Sequence, residues 1–197
     1  MNMKSLMMLF VVAIGLFSRS ATRLLENKYT LSKDYSITIL GTSNLHNWNE
    51  TVETATGNCN VDWNADGSFK LENLYLDIKV TSIKSPEGGI MNRNTYKALK
   101  ADNHPEIIFS LENPIMTGVS ANSISAQGFL TIAGVTKPIT MQVKVSMKGQ
   151  GNLTFEGSQI IKMTDYGIIP PTALFGVLKT GDTITINFKT NFIQTTN

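Results

Sequence analysis

The chain has 197 residues, of which 42% are hydrophobic and 16% charged, with a formal net charge of +2. This length and composition are typical of one ordinary globular domain whose core is large enough to do without disulfides. The lone Cys59 excludes an intramolecular disulfide and a cysteine-based metal site. The near-neutral charge argues against nucleic acid as a partner and against electrostatic attachment to anionic lipid.

The first 21 residues have the layout of a secretory signal peptide. Lys4 precedes an unbroken apolar run at 6–17, and small residues at 18–21 supply a cleavage region. The apolar run is too short to span a bilayer, and an uncleaved membrane anchor is the alternative. Removing Lys4 and Arg19 would lower the 17 basic residues to 15, equal to the 15 acidic ones. We therefore expect a signal peptide at 1–21 and one domain at 22–197, periplasmic or secreted, with no membrane span after cleavage.

The first strands have uneven patterns. Alternation predicts a strand over residues 29–40, followed by a loop or bend at 41–49. A weaker strand covers 50–63, where Gly57 indicates a bulge or bend. Its apolar members are Val52, Cys59, Val61 and Trp63.

A turn at 64–67 gives Gly67 a left-handed position, and a third strand follows over 69–83. One face of this strand carries Leu74, Leu76, Ile78 and Val80.

The hydrophobic period changes after Gly88-Gly89. Residues 90–100 do not alternate, which predicts a short helix, and Pro105 disfavours helix at His104. One face of this helix would carry Met91, Thr95, Ala98 and Leu99. Since the rest of the chain is β, we expect the helix to cap one end of the structure.

The second half of the chain contains the clearest strands. A fourth strand covers 106–111, with an extension to 115 as an option, and a hairpin joins strands at 123–132 and 139–147. In its connection, Gly134 can take a positive φ, and Pro138 is restricted to a strand start or a sheet edge. A turn at 149–151, a seventh strand at 152–164, a long connection at 165–182 and a last strand at 183–192 complete the chain.

These elements predict an all-β fold of about eight antiparallel strands with one short capping helix. Strands joined by short turns are antiparallel neighbours, and eight of them can close into a barrel that leaves no exposed edge. Such a barrel is either filled by its own side chains or holds one small ligand. A two-sheet sandwich is the structural alternative.

Three segments of the chain together resemble the YceI-like family of exported lipid- and polyisoprenoid-binding proteins. They are LKADNHPEIIF at 99–109, GFLTIAGVTKPI at 128–139, and Asp165-Tyr166-Gly167 through Phe175-Gly176 to Gly181-Asp182. The stretch GTSNLHNW at 41–48 resembles the beginning of other members. The resemblance spans most of residues 29–192, and the chain departs from it at Ala133, where a more polar residue is usual.

The resemblance implies a lipocalin-like eight-stranded barrel with a helix near one end and a tubular apolar cavity. The cavity would hold a long isoprenoid chain, a polyprenyl lipid or a quinone tail, and the protein would act as its carrier, store or sensor. No cofactor other than such a bound lipid or quinone is implied. The oligomeric state is left open, with a homodimer among the options.

If a ligand is held, inward apolar side chains should contact it through burial of its methylenes. The predicted set is Leu76, Ile78, Val80, Phe109, Leu111, Leu130, Met141, Val143, Val145, Phe155, Ile184, Ile186 and Phe188. The alternative is that these side chains only fill the barrel as its core. The small residues Ala126, Gly128 and Gly157 could leave room for a chain, although bends and bulges are their commoner use.

Three polar residues of the helix could meet a lipid head group at the barrel mouth: Arg93, Asn94 and Tyr96. A solvated helix face is the alternative. His46 and His104 lie far apart in sequence and predict no metal site. Trp48 and Trp63 could line a pocket or pack in the core, and the core is favoured. Cys59 is expected to be a small buried residue.

No hydrolase elbow, zinc-protease helix, phosphate loop or dinucleotide-binding fingerprint occurs in the chain, so we expect no enzymatic activity. The competing hypothesis to lipid binding is a barrel with a filled interior that acts through its surface, for example in an envelope stress response. Interior volume distinguishes the two.

Overall fold

The computed structural model describes residues 27–118, 122–148, 151–173 and 176–195. The predicted signal peptide lies outside the described residues, as do Gly149 and Gln150 of one predicted turn and Phe175 of the third family segment.

The described residues form twelve strands and one α-helix. In chain order these are β1 (Asn27–Ser43), β2 (Asn47–Val52), β3 (Ala55–Trp63), β4 (Phe69–Lys79), β5 (Ile83–Lys84), α1 (Gly89–Ala98), β6 (Glu106–Leu111), β7 (Ile115–Thr117), β8 (Ser123–Ile132), β9 (Val135–Lys148), β10 (Asn152–Lys162), β11 (Thr172–Ala173) and β12 (Leu178–Gln194). Short 3-10 turns at Val80–Ser82 and Met163–Tyr166 follow β4 and β10.

Eight of these strands close into an antiparallel barrel. The order around the barrel is β1, β3, β4, β6, β8, β9, β10 and β12, and β12 pairs back onto β1. This closing pair runs from Tyr29 opposite Gln194 to Ser43 opposite Thr180. The predicted barrel with a capping helix is therefore confirmed, and the sandwich alternative is wrong because β12 and β1 hydrogen-bond along almost their whole length.

The predicted second strand is divided in two. β2 and β3 both pair with β1, on either side of an irregularity between Leu31 and Tyr35. The Tyr35 hydroxyl bridges the gap, because it donates to the Glu53 carbonyl at 3.0 Å and accepts the Ala55 N–H at 2.8 Å. The bend thus comes from this bridge. The register of β3 against β4 shifts between Asn60 and Val61, where Glu72 of β4 is the extra residue, so the bulge predicted at Gly57 is misplaced.

Two predicted loops contain more strand than expected. The loop at 41–49 shrinks to a tight turn, where the Ser43 N–H donates to the His46 carbonyl at 2.9 Å. In the connection at 165–182, β11 pairs with the start of β12, which therefore begins five residues before the predicted position of 183. Short polar residues interrupt the apolar alternation in both stretches, so hydrophobic periodicity did not predict these strand extensions.

The β8–β9 hairpin is tighter than predicted. Ala133 and Gly134 form a two-residue turn with φ of 50° and 82°, and β9 begins directly at Val135. The positive φ predicted for Gly134 is confirmed. Pro138 pairs with Phe129 on one side, while β10 joins β9 only from Val143 onward. Pro138 thus lies on a locally free edge, as predicted.

The barrel interior has two ends of different construction. At the packed end, where β1 starts and β12 finishes, the fully buried side chains are Tyr29, Cys59, Val61, Phe69, Leu71, Leu153 and Phe192. At the opposite end, which we call the cavity end, α1 lies against a wall of partly buried aliphatic side chains from β1, β4, β6, β9 and β12. The functional candidates all follow from this division.

Candidate ligand cavity

The barrel encloses a cavity of about 470 Å³ that extends from the packed end to α1. Small-molecule sites commonly have volumes of roughly 300–1,000 Å³ and mostly apolar walls. Leu71, Ile124 and Phe155 lie at its inner limit, where they also belong to the packed end. Met91, Ala98 and Leu99 of α1 cover its other side.

The structure places the predicted ligand-contacting residues on the cavity wall, with two exceptions. Those that line it are Leu76, Ile78, Phe109, Leu111, Leu130, Met141, Val143, Phe155, Ile184, Ile186 and Phe188. Alternation succeeds here because successive residues of a strand point to opposite faces, so one face of each strand reaches the interior. Their contact with a ligand stays a prediction.

Val80 and Val145 are buried but do not line the cavity. Val80 starts the 3-10 turn after β4, so the alternation that continues through Ile78 ends before it. Val145 points inward but lies within the cluster of the packed end. Neither position could be distinguished by sequence periodicity, because both continue an apolar face.

Two glycines of the wall make room for aromatic rings. A Cβ at Gly128 would lie 2.6 Å from the Phe109 ring, and a Cβ at Gly157 would lie 2.7 Å from the Phe188 ring. At Gly128 the pairing of β8 has no register shift, so the predicted use in a bend or bulge is wrong there. At Gly157 β10 stays in register with β12, but its pairing with β9 ends. Each ring instead occupies the space that a side chain would fill on the wall.

Helix α1 presents the predicted face to the cavity. Met91, Thr95, Ala98 and Leu99 line it, as the helical spacing indicated. Tyr96 holds the helix in place, because its hydroxyl donates to the carbonyls of Thr81 and Ile83 at 2.8 and 3.0 Å. The Lys84 ammonium donates to the same hydroxyl at 2.7 Å.

Of the three head-group candidates, only one lines the cavity. Asn94 lines the cavity, and its backbone neighbour is Thr95. Tyr96 is turned toward β5, and Arg93 is exposed, so neither lies on the cavity wall.

Sequence reasoning missed the most unusual residue of the site. Glu50 of β2 lines the cavity although it is only 3% exposed. The Thr95 hydroxyl donates a short hydrogen bond to its Oε1. Burial raises the pKa of the Glu50 carboxyl, the Thr95 hydrogen bond opposes that rise, and the nearby Glu87 adds to it. The sequence contained a signal for this position, because Trp48, Glu50 and Val52 are spaced two residues apart on one face of β2. All three line the cavity.

The mouth of the cavity carries further polar groups. His46 Nδ1 lies 3.8 Å from the Glu87 carboxylate, and both side chains are about half exposed. The Ser43 hydroxyl accepts the N–H groups of Leu45 and His46 and donates to the His46 carbonyl, so it serves the turn. The described residues contain no group of three His, Cys, Asp or Glu side chains that could bind a metal.

The remaining singled-out residues have structural positions. Trp63 packs on Phe69 with ring centroids 5.1 Å apart and donates to the Tyr29 hydroxyl at 3.0 Å. Trp48 is not a core residue, since its indole covers Gly41 and borders the cavity. Cys59 is fully buried as predicted, and burial raises the pKa of its thiol to about 12. His104 packs against Gly134.

Comparison with known proteins identifies the family. A sequence model of the YceI-like domain matches residues 29–192. The chain belongs to the YceI-like family. A UPF0312 protein of Pseudomonas paraeruginosa is 46% identical over 61 residues, a match that covers 26% of this chain and 31% of that protein. The chain thus spans about a third of that curated relative.

Solved structures share the fold. BcnA of Burkholderia cenocepacia is 17% identical with a TM-score of 0.60, covering 80% of this chain and 95% of that one. A polyisoprenoid binding domain from Saccharophagus degradans is 13% identical with a TM-score of 0.62, covering 85% and 98%. The YCEI protein of Campylobacter jejuni is 19% identical with a TM-score of 0.58, covering 75% and 85%. At these identities the likeness shows the barrel fold. Within the described part of the chain, no helix has the length and apolar character needed to span a membrane.

Proposed function

We propose that this YceI-like protein is an exported, non-enzymatic binding protein that holds a long isoprenoid lipid in its barrel. The lipid would be a polyprenyl lipid or the tail of a quinone, and the protein would carry, store or sense it. The observation that carries the proposal is the cavity of about 470 Å³ with its wall of Leu, Ile, Val, Met and Phe side chains.

The physical basis is burial of a long apolar chain. Each methylene transferred from water into such a wall contributes roughly 0.8 kcal/mol, so a chain of many methylenes binds tightly without specific contacts. Met91, Met141 and Met163 border the cavity, and their flexible side chains adapt to a ligand of irregular shape. The solved Saccharophagus degradans neighbour, described as a polyisoprenoid binding domain, supports the same ligand class.

The competing hypothesis requires a filled interior. Most of the fully buried side chains belong to the packed end, whereas the cavity end leaves space beside Ile184 and Ile186 of β12. That asymmetry favours an internal ligand over action through the outer surface alone.

The direct test is to purify the chain from its own host, extract it with organic solvent and analyse the extract by mass spectrometry. We expect one isoprenoid lipid or quinone in stoichiometric amount. A matched pair of variants strengthens the test. Leu76→Phe fills the cavity wall and should lower lipid recovery at least about tenfold, whereas Leu40→Phe changes an exposed position on β1 and should not.

An extract without lipid, together with no binding of added polyprenyl lipids, would contradict the proposal and favour a protein that acts through its surface.

A further inference from the structure

The charged side chains that line the cavity are mainly acidic. Among the described residues that line it there is no lysine or arginine, and the ionisable side chains are Glu50, Glu87 and His46. Glu87 and His46 lie at the mouth, where they are about half exposed. Glu50 is the one buried among apolar side chains such as Ile39 and Val52.

One oxygen of the Glu50 carboxyl remains available to a ligand. The Thr95 hydroxyl occupies Oε1, and no other hydrogen bond of this carboxyl is formed within the described residues. No fully buried side-chain oxygen or nitrogen there lacks a partner, so Oε2 retains accessible surface. Because Glu50 lines the cavity, we take that surface to face the ligand space.

A hydrogen-bond acceptor buried in an apolar cavity favours some ligand head groups over others. A carboxylate accepts hydrogen bonds from hydroxyl donors, and leaving it unpaired on ligand binding carries a desolvation cost. A phosphate or carboxylate head group would be repelled, since no cation on the wall offsets its charge. An ammonium head group would lose its hydration shell, which costs more than one buried partner usually returns.

We infer that Glu50 is the head-group site of the cavity and that it selects an uncharged alcohol, whose hydroxyl donates to Glu50 Oε2. The inference rests on the proposed function and names the class of isoprenoid lipid. Asn94 also lines the cavity and would supply an amide donor to the alcohol oxygen. The tail then extends along the aliphatic wall toward Phe155.

The test compares lipids that share one tail and differ only in the head group. Geranylgeraniol, its methyl ether, its monophosphate and geranylgeranylamine are competed against one fluorescent isoprenoid probe on the full chain. We expect the alcohol to bind at least about tenfold more tightly than the ether, because a hydrogen bond to a charged group contributes about that factor or more. The phosphate and the amine should both bind more weakly than the alcohol.

Two variants assign the preference to Glu50. Glu50→Leu removes the acceptor, so the alcohol and the ether should bind within about threefold of each other. Glu50→Gln keeps its amide oxygen for the Thr95 hydroxyl and places an N–H donor where Oε2 lies, so the preference for the alcohol over the ether should fall while the phosphate gains affinity. Glu156→Gln, on the exposed face of β10, is the matched control and should bind all four probes as the parent chain does.

The outcomes separate the two proposals. If no probe binds, the proposed function itself is contradicted. Equal binding of all four head groups leaves the isoprenoid cavity in place and overturns the head-group site. Tighter binding of the phosphate or the amine than of the alcohol overturns the choice of an alcohol.

Discussion

The same eight strands build both ends of the barrel, yet only one end is filled. On β12, Phe192 is 1% exposed in the packed end, whereas Ile184 and Ile186 of the same strand are partly exposed to the cavity. The packed end holds aromatic rings that pack against each other from neighbouring strands, with Phe155 of β10 and Phe192 of β12 edge to face at 5.7 Å. The inward positions of the cavity end are mostly aliphatic.

Two aromatic side chains of the cavity wall, Phe109 and Phe188, each lie over a glycine. Each ring borders the cavity and occupies the space above its glycine, Gly128 for Phe109 and Gly157 for Phe188. Aromatic rings are thus part of the buried core at the packed end and part of the cavity wall at the cavity end. The free energy of unfolding should depend mainly on the packed end, and ligand binding on the cavity end.

Truncation of matched leucines should give the largest difference. Leu153 is fully buried in the packed end, and Leu130 is nearly buried but borders the cavity. We expect Leu153→Ala to cost about 4 kcal/mol of unfolding free energy and Leu130→Ala about 2 kcal/mol, because only the first creates a new void. Urea denaturation measures both. Equal losses would show that the two ends are packed alike.

Two glycines with positive φ provide the next comparison. Gly134 has a φ of 82°, and a Cβ there would lie 2.4 Å from the His104 ring, whereas Gly67 has a φ of 87° and nothing within 4 Å. Gly67→Ala should cost about 1 kcal/mol from backbone strain alone. Gly134→Ala should cost about 3 kcal/mol, because displacement of His104 is added. A similar cost for both would mean that His104 moves freely away.

Adding a side chain at a glycine of the cavity wall should weaken ligand binding. In Gly157→Ala the Phe188 ring must move from the wall into the cavity, so we expect lipid affinity to fall about tenfold while unfolding costs about 1–2 kcal/mol. The double variant Gly157→Ala with Phe188→Leu removes the displaced ring and should recover binding. Titration with a fluorescent isoprenoid checks both. No recovery in the double variant would contradict the role assigned to the ring.

The smallest expected effect is a pH dependence that comes from Glu50. Because burial raises the pKa of its carboxyl above 4.5 in the folded chain, the folded state binds the proton more tightly than the unfolded state. Its contribution is therefore most favourable below pH 4.5 and is lost as the pH rises through the folded pKa. Glu50→Gln should have a higher Tm than the parent chain at neutral pH, and the difference should vanish in acid.

Local patterns predicted most of the barrel for a simple reason. Alternation over β4, β8, β9 and β12 reports which face of each strand is dry, and a chain with many dry faces joined by short turns must close or stack. The helical spacing of Met91, Thr95 and Ala98 likewise predicted the face that α1 turns toward the interior. Where polar residues interrupt the period, as in 41–49 and 165–182, the same reasoning shortened the strands.

The candidate site was predictable only in part. Its aliphatic wall follows from periodicity, but Glu50 looks like an ordinary surface carboxylate until β2 is placed beside Ile39 and α1 is placed over it. Tyr96 shows the reverse case, because a side chain that sequence reasoning assigned to a head group instead secures the helix.

By itself the sequence determined an antiparallel barrel with a dry interior, a helix at one end and membership of the YceI-like family, because each of these is written in short-range spacing or local motifs. Only the tertiary structure decided which inward side chains meet across the barrel and which leave space. That outcome depends on the distance between opposite walls and on where rings find a glycine, and both are set by residues far apart in the chain.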